Sequence, residues 1–545
     1  MKKKIGFYSV FVLLLAFSMF LVGCSNTNNT SGDENNEGNS GSSGNDSGKQ
    51  EEVVKKEGKD ITVAVAENFI SMDPHDTNDT LSYSAQKTMM EGLVGFDEKM
   101  NVVPVLAEEY SANEDATEFT FKLRQGVKFH DETPLNAEAV KVNVDRLANP
   151  ENKLKRHSLF SIVKETIVED EYTVKVVLKE PFGAMINNFA HPAAMMQSPK
   201  ALEEYGNDVS QNPVGTGPFV FSEWVPGDHL KVVKNDSYWK DGSPKVDSIT
   251  FKPTPENGSR VAMLQTGEAD FIYPVPSEQA ESINGQNGIV VENTSSIIVR
   301  YLSMNTIKEP YNDVRVRQAI NYVINKEAFI KVVMNGYATV QDSIIAPNTQ
   351  FYSQQTPYGF NVEKAKELLK EAGYEDGFTA KLWGANNSSS IKGMEFIQQQ
   401  LAQIGITVEV VPMESGTRSD KIWSVQNPED AEIELYYGGW SPSTGDADWG
   451  IRPLLGGKDS FPPNSYNTAY YNNEDANDLI AAALATADFD QRAEAYVKVQ
   501  KLLWDEAPWA FLSVDDTMAG KKNYLEGIYL LPDGSLSVEN VEIKQ

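Results

Sequence analysis

Eleven consecutive residues, Gly439-Trp-Ser-Pro-Ser-Thr-Gly-Asp-Ala-Asp-Trp449, gather two indoles (Trp440, Trp449), three hydroxyls (Ser441, Ser443, Thr444) and two carboxylates (Asp446, Asp448). They follow the apolar run Leu435-Tyr-Tyr437, so the segment reads as a loop leaving a buried strand. A carboxylate there can hold a cationic group, and indoles can wall a pocket while each offers one N–H. The bland alternatives are capping or turn aspartates and, for Trp449 especially, ordinary core. Two arginines offer the opposite charge. Arg300, followed by Tyr301, ends the run Ile297-Ile-Val and either clamps a carboxylate in bidentate fashion or closes a structural salt bridge. Arg418 follows Met413-Glu-Ser-Gly-Thr in a strand-to-helix turn, where a guanidinium and helix-start amides suit a carboxylate. Asn68 with Phe69, ahead of the turn Met72-Asp-Pro-His75, and His157 with Ser158 complete the candidates, and each also reads as a surface or turn residue. This is chemistry for holding a charged solute.

Covalent and metal chemistry find little support. No Gly-x-Ser-x-Gly elbow accompanies the serines. Gly215-Thr-Gly217 lacks a following Lys-Ser/Thr, and Pro218 removes a donor, so it reads as a tight turn and not a phosphate loop. His75, His130, His157, His191 and His229 show no ligand spacing, so no metal and no cofactor is expected. A secreted hydrolase with a carboxylate pair is the enzymatic alternative.

The chain has 545 residues, enough for roughly three or four domain-sized units. Its 48 Lys plus Arg stand against 78 Asp plus Glu, a net charge of −30 that repels phosphate backbones and argues against nucleic acid as a partner. With 40% hydrophobic and 10% aromatic residues it is neither a disordered chain nor a polytopic membrane protein. One cysteine, Cys24, rules out an internal disulfide and thiolate metal clusters.

That cysteine closes an address. Lys2, Lys3 and Lys4 precede the apolar stretch 5–22, which ends in Leu21-Val-Gly-Cys24, the pattern of a cleaved leader. Residues 25–60, nearly all Asn, Ser, Gly and charged groups, bury too little apolar area to order themselves and read as a tether.

The elements that position the candidates are mixed. Strand patterns start at Ile61 and recur at 119–124, 172–178, 230–234 and 248–252. Helical spacing marks 136–146, 314–323 and 362–372, the last ending at Gly373. Residues 379–383, 394–404, Gly405 and 406–411 read as strand, helix, cap and strand, a βαβ-like unit. The expectation is a multi-lobed α/β body.

Six ordered blocks carry a resemblance over nearly the whole mature chain: Met72-Asp-Pro-His75, Glu91-Gly-Leu-Val94, Pro104-Val-Leu-Ala-Glu108, residues 121–131, Pro213-Val-Gly-Thr-Gly-Pro218 and Val314-Arg-Val-Arg-Gln-Ala319. They resemble the family 5 solute-binding proteins of ABC importers, which take up oligopeptides, dipeptides, nickel and glutathione. Residues 262–269, 300–305, 398–403 and 439–449 look like the glutathione-binding branch. Leu-Val-Gly-Cys is similar to the lipobox of bacterial lipoproteins, which implies acylation (palmitate) of Cys24 and a mature chain carrying about −33 on the extracellular face of the membrane.

The resemblance implies a class II periplasmic-binding-protein-like fold of the large three-subdomain type, hinged between two lobes. Its expected parts are the leader 1–23, the tether 24–60, lobe I from 61–103, 214–312 and 513–545, an inserted subdomain 104–213 of lobe I, and lobe II from 313–512. It also implies a monomeric, non-enzymatic receptor that delivers a peptide-like solute to permease subunits. In dipeptide-binding relatives an aspartate of the 439–449 loop holds the ligand amine, a role for Asp446 or Asp448 here. Those relatives bind the peptide carboxylate with an arginine after the strand that here ends at Trp383. This chain has Gly384-Ala-Asn-Asn-Ser-Ser-Ser390 instead, so another cation, Arg418, is expected to serve. A nickel receptor and a peptide-signal receptor are alternatives within the fold.

Overall fold

Alternating apolar residues make the strand Asp60–Val65, which buries Ile61, Val63 and Val65 in one core and Ala64 in another. The computed structural model describes Lys56 and residues 58–544; the leader, Cys24 and nearly all of the tether lie outside the described residues. Among the described residues no helix is long and apolar enough to cross a membrane.

Asp60–Val65 joins an 11-stranded sheet built around two long antiparallel strands, Ile289–Met304 and Trp509–Lys522. One end of this ribbon carries Phe271–Tyr273, Asp60–Val65, Ser248–Pro253, His229–Lys234 and Phe219–Val225, in that order. The other end carries Leu435–Trp440, Thr379–Ala385 and Thr407–Met413. Register shows how the halves face one another. Phe271 and Ile272 pair with Lys521 and Gly520, so this strand and its parallel neighbours run toward the middle of the ribbon. Leu435 pairs with Met304 and Trp440 with Val299, so the other parallel set also runs toward the middle. The carboxyl ends of both sets converge where the ribbon loses register, between Ser295 and Val299. A crevice outside strand carboxyl ends is the usual ligand position in open α/β sheets, and the bulged ribbon crossing it is the place to bend. This is the expected two-lobed α/β fold.

Each half has its own core, one around Phe251, Phe271 and Val63, the other around Leu382, Leu435 and Ile320. A separate four-stranded sheet, ordered Ala107–Ala112, Glu118–Leu123, Thr173–Leu178 and Val163–Asp170, forms the insert and buries Phe119, Phe121 and Leu123 on one face. Its helix Ala137–Ala148 begins where the Asn136 side chain accepts from the Ala139 N–H at 2.9 Å.

Local signals matched in most places. Gly373 and Gly405 both take left-handed φ, +88° and +81°, at helix ends. One boundary moved. The helix expected from residue 394 spans Ser388–Ala402, because Asn387 caps it by accepting from Ser390 N–H at 2.9 Å, and the polar run becomes its first turn.

The turn after the first strand stores a pH response. His75 is fully buried; its Nδ1 accepts from Arg146 at 2.6 Å and its Nε2–H donates to the Met195 carbonyl at 3.0 Å, so the ring is neutral. Burial, with Asp73 opposing, lowers its pKa from 6.5 to about 4. The unfolded chain therefore binds the proton first as pH falls. The stability held by this neutral ring is full above pH 6.5 and is lost between 6.5 and about 4, by about 3 kcal/mol at most. His130 and His191, also lowered by burial, act in the same direction. Denaturant unfolding across this range should show stability declining steadily below pH 6.5. A flat profile would contradict the neutral ring.

Candidate functional site

Three parallel strands of the second lobe end side by side at the crevice. Thr379–Ala385 pairs in register with Thr407–Met413, and Trp383 of the former pairs with Tyr436 of Leu435–Trp440. Each is followed within a few residues by a helix: Ser388–Ala402, Ser415–Trp423 and Ala447–Leu455. The edge thus combines strand ends with three helix N-termini. Arg300 reaches it from the long strand, paired opposite Gly439. A Cβ on Gly439 would lie 2.9 Å from Arg300 Nη1, so only glycine lets the guanidinium lie across the strand.

Arg300 Nε donates to Asp515 Oδ2 at 2.7 Å, and Ser513 lies beside that carboxylate. Burial pushes Asp515 upward while Arg300 holds it back. The terminal nitrogens of Arg300 have no hydrogen-bond partner among the described residues, and its side chain is 34% exposed. Both readings of Arg300 therefore meet in one side chain, half anchored and half open.

Arg418 is more fully unspent. It lies in the first turn of Ser415–Trp423 and not in a turn before it, with its backbone N–H on the Glu414 carbonyl at 2.9 Å. Its Nε is buried with no hydrogen-bond partner, and no carboxylate lies within 4 Å among the described residues. Tyr436, half-buried, has a phenol raised by burial and drawn back by Arg418 and then Arg300, which places it in the field of both. Of the ten arginines, seven pair with carboxylates and Arg260 is spent on backbone carbonyls and Asn257. Arg418 and Arg156 are the two left without a carboxylate among the described residues. Sequence reading missed Arg156; its Nε donates to the Thr77 carbonyl at 3.0 Å and to Tyr83 Oη at 2.8 Å, and it lies over the Tyr83 ring. The signal was adjacent, at His157, but pairing is invisible in sequence.

An aromatic wall flanks the edge. Trp440 Nε1 donates to the Trp449 carbonyl at 2.7 Å, the two indoles lie 6.0 Å apart, and Tyr466 stands 5.0 Å from Trp440 and 6.3 Å from Trp423. Ser441 and Ser443 are half-buried beside it. Trp449 turns toward the insert and lines a cavity of about 500 Å³ with Ser158, Phe182, Asn188 and Arg452.

Four expected site residues are already committed elsewhere. Asp446 is completely buried, caps Ala447–Leu455 by accepting from Asp448 N–H, and takes two 2.9 Å bonds from Arg492 Nη2. Burial pushes its carboxyl up and Arg492 opposes. Asp448 is held by Arg452 at 2.7 and 2.6 Å. Both aspartates belong to a helix and its arginines, so neither is free for a ligand amine. Thr444 is buried, its carbonyl accepting from Asn187 Nδ2 at 3.1 Å where the insert meets the second lobe. Tyr301 is core, stacked on Trp509 at 4.0 Å with an 8° interplanar angle. His157 donates Nδ1–H to the Leu147 carbonyl at 2.9 Å, leaving one nitrogen. Asn68 is exposed just beyond the carboxyl end of Asp60–Val65, on the first lobe's side of the crevice. No group of three or more His, Cys, Asp or Glu able to hold a metal occurs among the described residues.

Residues 101–462 match the model for bacterial extracellular solute-binding proteins, family 5. The glutathione-binding protein GsiB of Pectobacterium atrosepticum is 43% identical over 488 residues, 89% of this chain and 95% of that one. Among solved structures, HbpA2 of Haemophilus parasuis matches with TM-score 0.80 at 26% identity, covering 89% of this chain and all of the other. The periplasmic binding protein DppA of Helicobacter pylori, solved with the peptide STSA, matches with TM-score 0.72 at 26% identity over 89% and 98%. With a two-lobed fold, a family model that matches most of the chain and a 43% identical relative named for binding a solute, this chain belongs to the family 5 solute-binding proteins of ABC importers.

Proposed function

We propose that the chain captures glutathione, or a short peptide of like charge, and hands it to a permease. The observation that carries this is the pair of uncommitted guanidiniums, Arg418 and half of Arg300, at one strand edge. Glutathione has two carboxylates and one ammonium, and taking such charges out of water is tolerable only where each finds a partner. Arg418 and Arg300 take the carboxylates, and Trp440, Ser441 and Ser443 line the peptide between them. Glu414, exposed and with its side chain bonded only to Asn386 Nδ2, at 2.8 Å, among the described residues, takes the ammonium in place of Asp446 or Asp448. Asn68 approaches from the first lobe as the ribbon bends, with the lobe boundaries as set out from the sequence. The name of the 43% identical relatives supports glutathione over other peptides. Titration calorimetry with a soluble form should give saturable one-to-one binding of glutathione and none of its diamide analogue, which keeps the ammonium but lacks both carboxylates. Equal heats from both would end this reading.

The same proposal keeps the body at the outer membrane face through a lipid on Cys24. In cells fed labelled palmitate, Cys24→Ala should carry no label, and normal labelling would disprove the anchor.

A further inference from the structure

A second cavity, of about 350 Å³, lies inside the first lobe, away from the crevice. Its walls are the end of helix Thr80–Met89, the hairpin of Val94–Phe96 and Val102–Pro104, the turn at 190–195 and the C-terminal stretch 529–540. None of Arg300, Arg418, Trp440 or Glu414 lines it. Met90, Val94, Phe96, Leu531, Leu536 and Val538 give it an apolar body.

The polar groups on this wall are unequally satisfied. Glu91 accepts from Tyr238 Oη at 2.7 Å, Thr216 Oγ1 at 2.8 Å and Trp239 Nε1 at 2.9 Å. Asp97 accepts from Lys99 and Asn101 within its own turn. Asp533 accepts from Ser535 N–H and Oγ, Glu539 pairs with Lys240, and Glu98 bonds Tyr529. The donors are in surplus. Lys87 Nζ has one protein partner, Ser535 Oγ at 3.1 Å, and no carboxylate within 4 Å among the described residues. His191 is 2% exposed; its Nδ1 accepts from Ala193 N–H at 3.0 Å, which puts the proton on Nε2, and that N–H has no hydrogen-bond partner among the described residues.

We propose that this cavity is a second binding site, for a small aliphatic monocarboxylate whose oxygens meet Lys87 and His191 and whose chain lies on the apolar wall. Lys87 Nζ spends one proton on Ser535 and His191 Nε2–H has no acceptor among the described residues, so donor capacity remains on this wall for an occupant that brings acceptors. The rim carries five acidic side chains, Glu91, Asp97, Glu98, Asp533 and Glu539, against Lys87, a balance that disfavours a dianion such as phosphate and limits the occupant to one negative charge. A volume of this size admits a chain of about six carbons with room to spare. Binding there stabilises the folded state by mass action.

The test uses hexanoate on the soluble protein with its crevice empty. The unfolding midpoint should rise saturably with hexanoate and stay still with hexan-1-amine, hexan-1-ol or phosphate. Lys87→Met should weaken hexanoate binding at least about tenfold while glutathione titrates as in the parent. Ser537→Trp, at a half-buried wall position, fills the space and should abolish the response, which keeps the test open if Lys87→Met fails to fold. No saturable response to hexanoate, an equal response in both variants, or a stronger response to the amine would overturn the site. Because glutathione binding is read separately, that failure is distinct from failure of the crevice assignment.

Discussion

Asp446→Ala should lower the unfolding free energy by about 3–5 kcal/mol, the cost of leaving a buried guanidinium without its counter-charge. Arg492 is 3% exposed and its Nη2 reaches both carboxylate oxygens, so no solvent is at hand to replace them. Loss of the helix cap adds about 1 kcal/mol. The effect reaches beyond one helix. Asp446 anchors the stretch whose Thr444 carbonyl meets Asn187 of the insert, and Arg492 lies at the place where Gly183 N–H donates to Leu484 O at 2.8 Å. A double variant, Asp446→Ala with Arg492→Leu, removes both charges and should recover most of the loss, since a buried pair replaced by apolar groups is often near neutral. Denaturant melts of the two singles and the double check this. Equal losses in the single and double variants would show that the pair matters only as packing.

Arg418→Ala should do the opposite, leaving stability unchanged while weakening ligand. Its guanidinium has no acceptor among the described residues, so among them nothing is lost except an uncompensated charge beside Tyr436. Alanine is also the better helix former at that first-turn position. A charge-assisted bond to a carboxylate is worth about 1.5–3 kcal/mol, so glutathione affinity should fall about 10- to 100-fold with the melting midpoint held. Arg300→Ala should differ in kind, losing affinity and stability together because it also strands the buried Asp515. If Arg418→Ala binds like the parent, the carboxylate site lies elsewhere.

What could be read ahead of the structure was whatever depends on near neighbours. Strand alternation at Phe119, Phe121 and Leu123, the Asn136 cap and the left-handed glycines 373 and 405 are local, and they hold. The 439–449 segment reads as a loop leaving a buried strand, and the strand Leu435–Trp440 does end there. The pairing of Asp446 and Asp448 with arginines could not be read from that segment, for one physical reason. Whether a carboxylate is free depends on what faces it, and Asp446 meets an arginine 46 positions later while Arg300 meets an aspartate 215 positions later. Nothing in the spacing of Gly-Asp-Ala-Asp distinguishes a ligand carboxylate from a helix cap whose charge is matched at a distance. Tyr301 was drawn in by its neighbour Arg300, although side chains alternate along a strand, so adjacent positions face opposite sides.

The central claim is that the crevice holds an intact, carboxylate-bearing solute by matching its charges. Native mass spectrometry tests it most directly, on protein purified without refolding and then offered equimolar glutathione, a neutral tripeptide amide and nickel. One glutathione per chain, released with unchanged mass and displaced from Arg418→Ala at far lower concentration, is the result this account predicts. Occupancy by nickel or by the amide, or recovery of glutathione fragments, would contradict it.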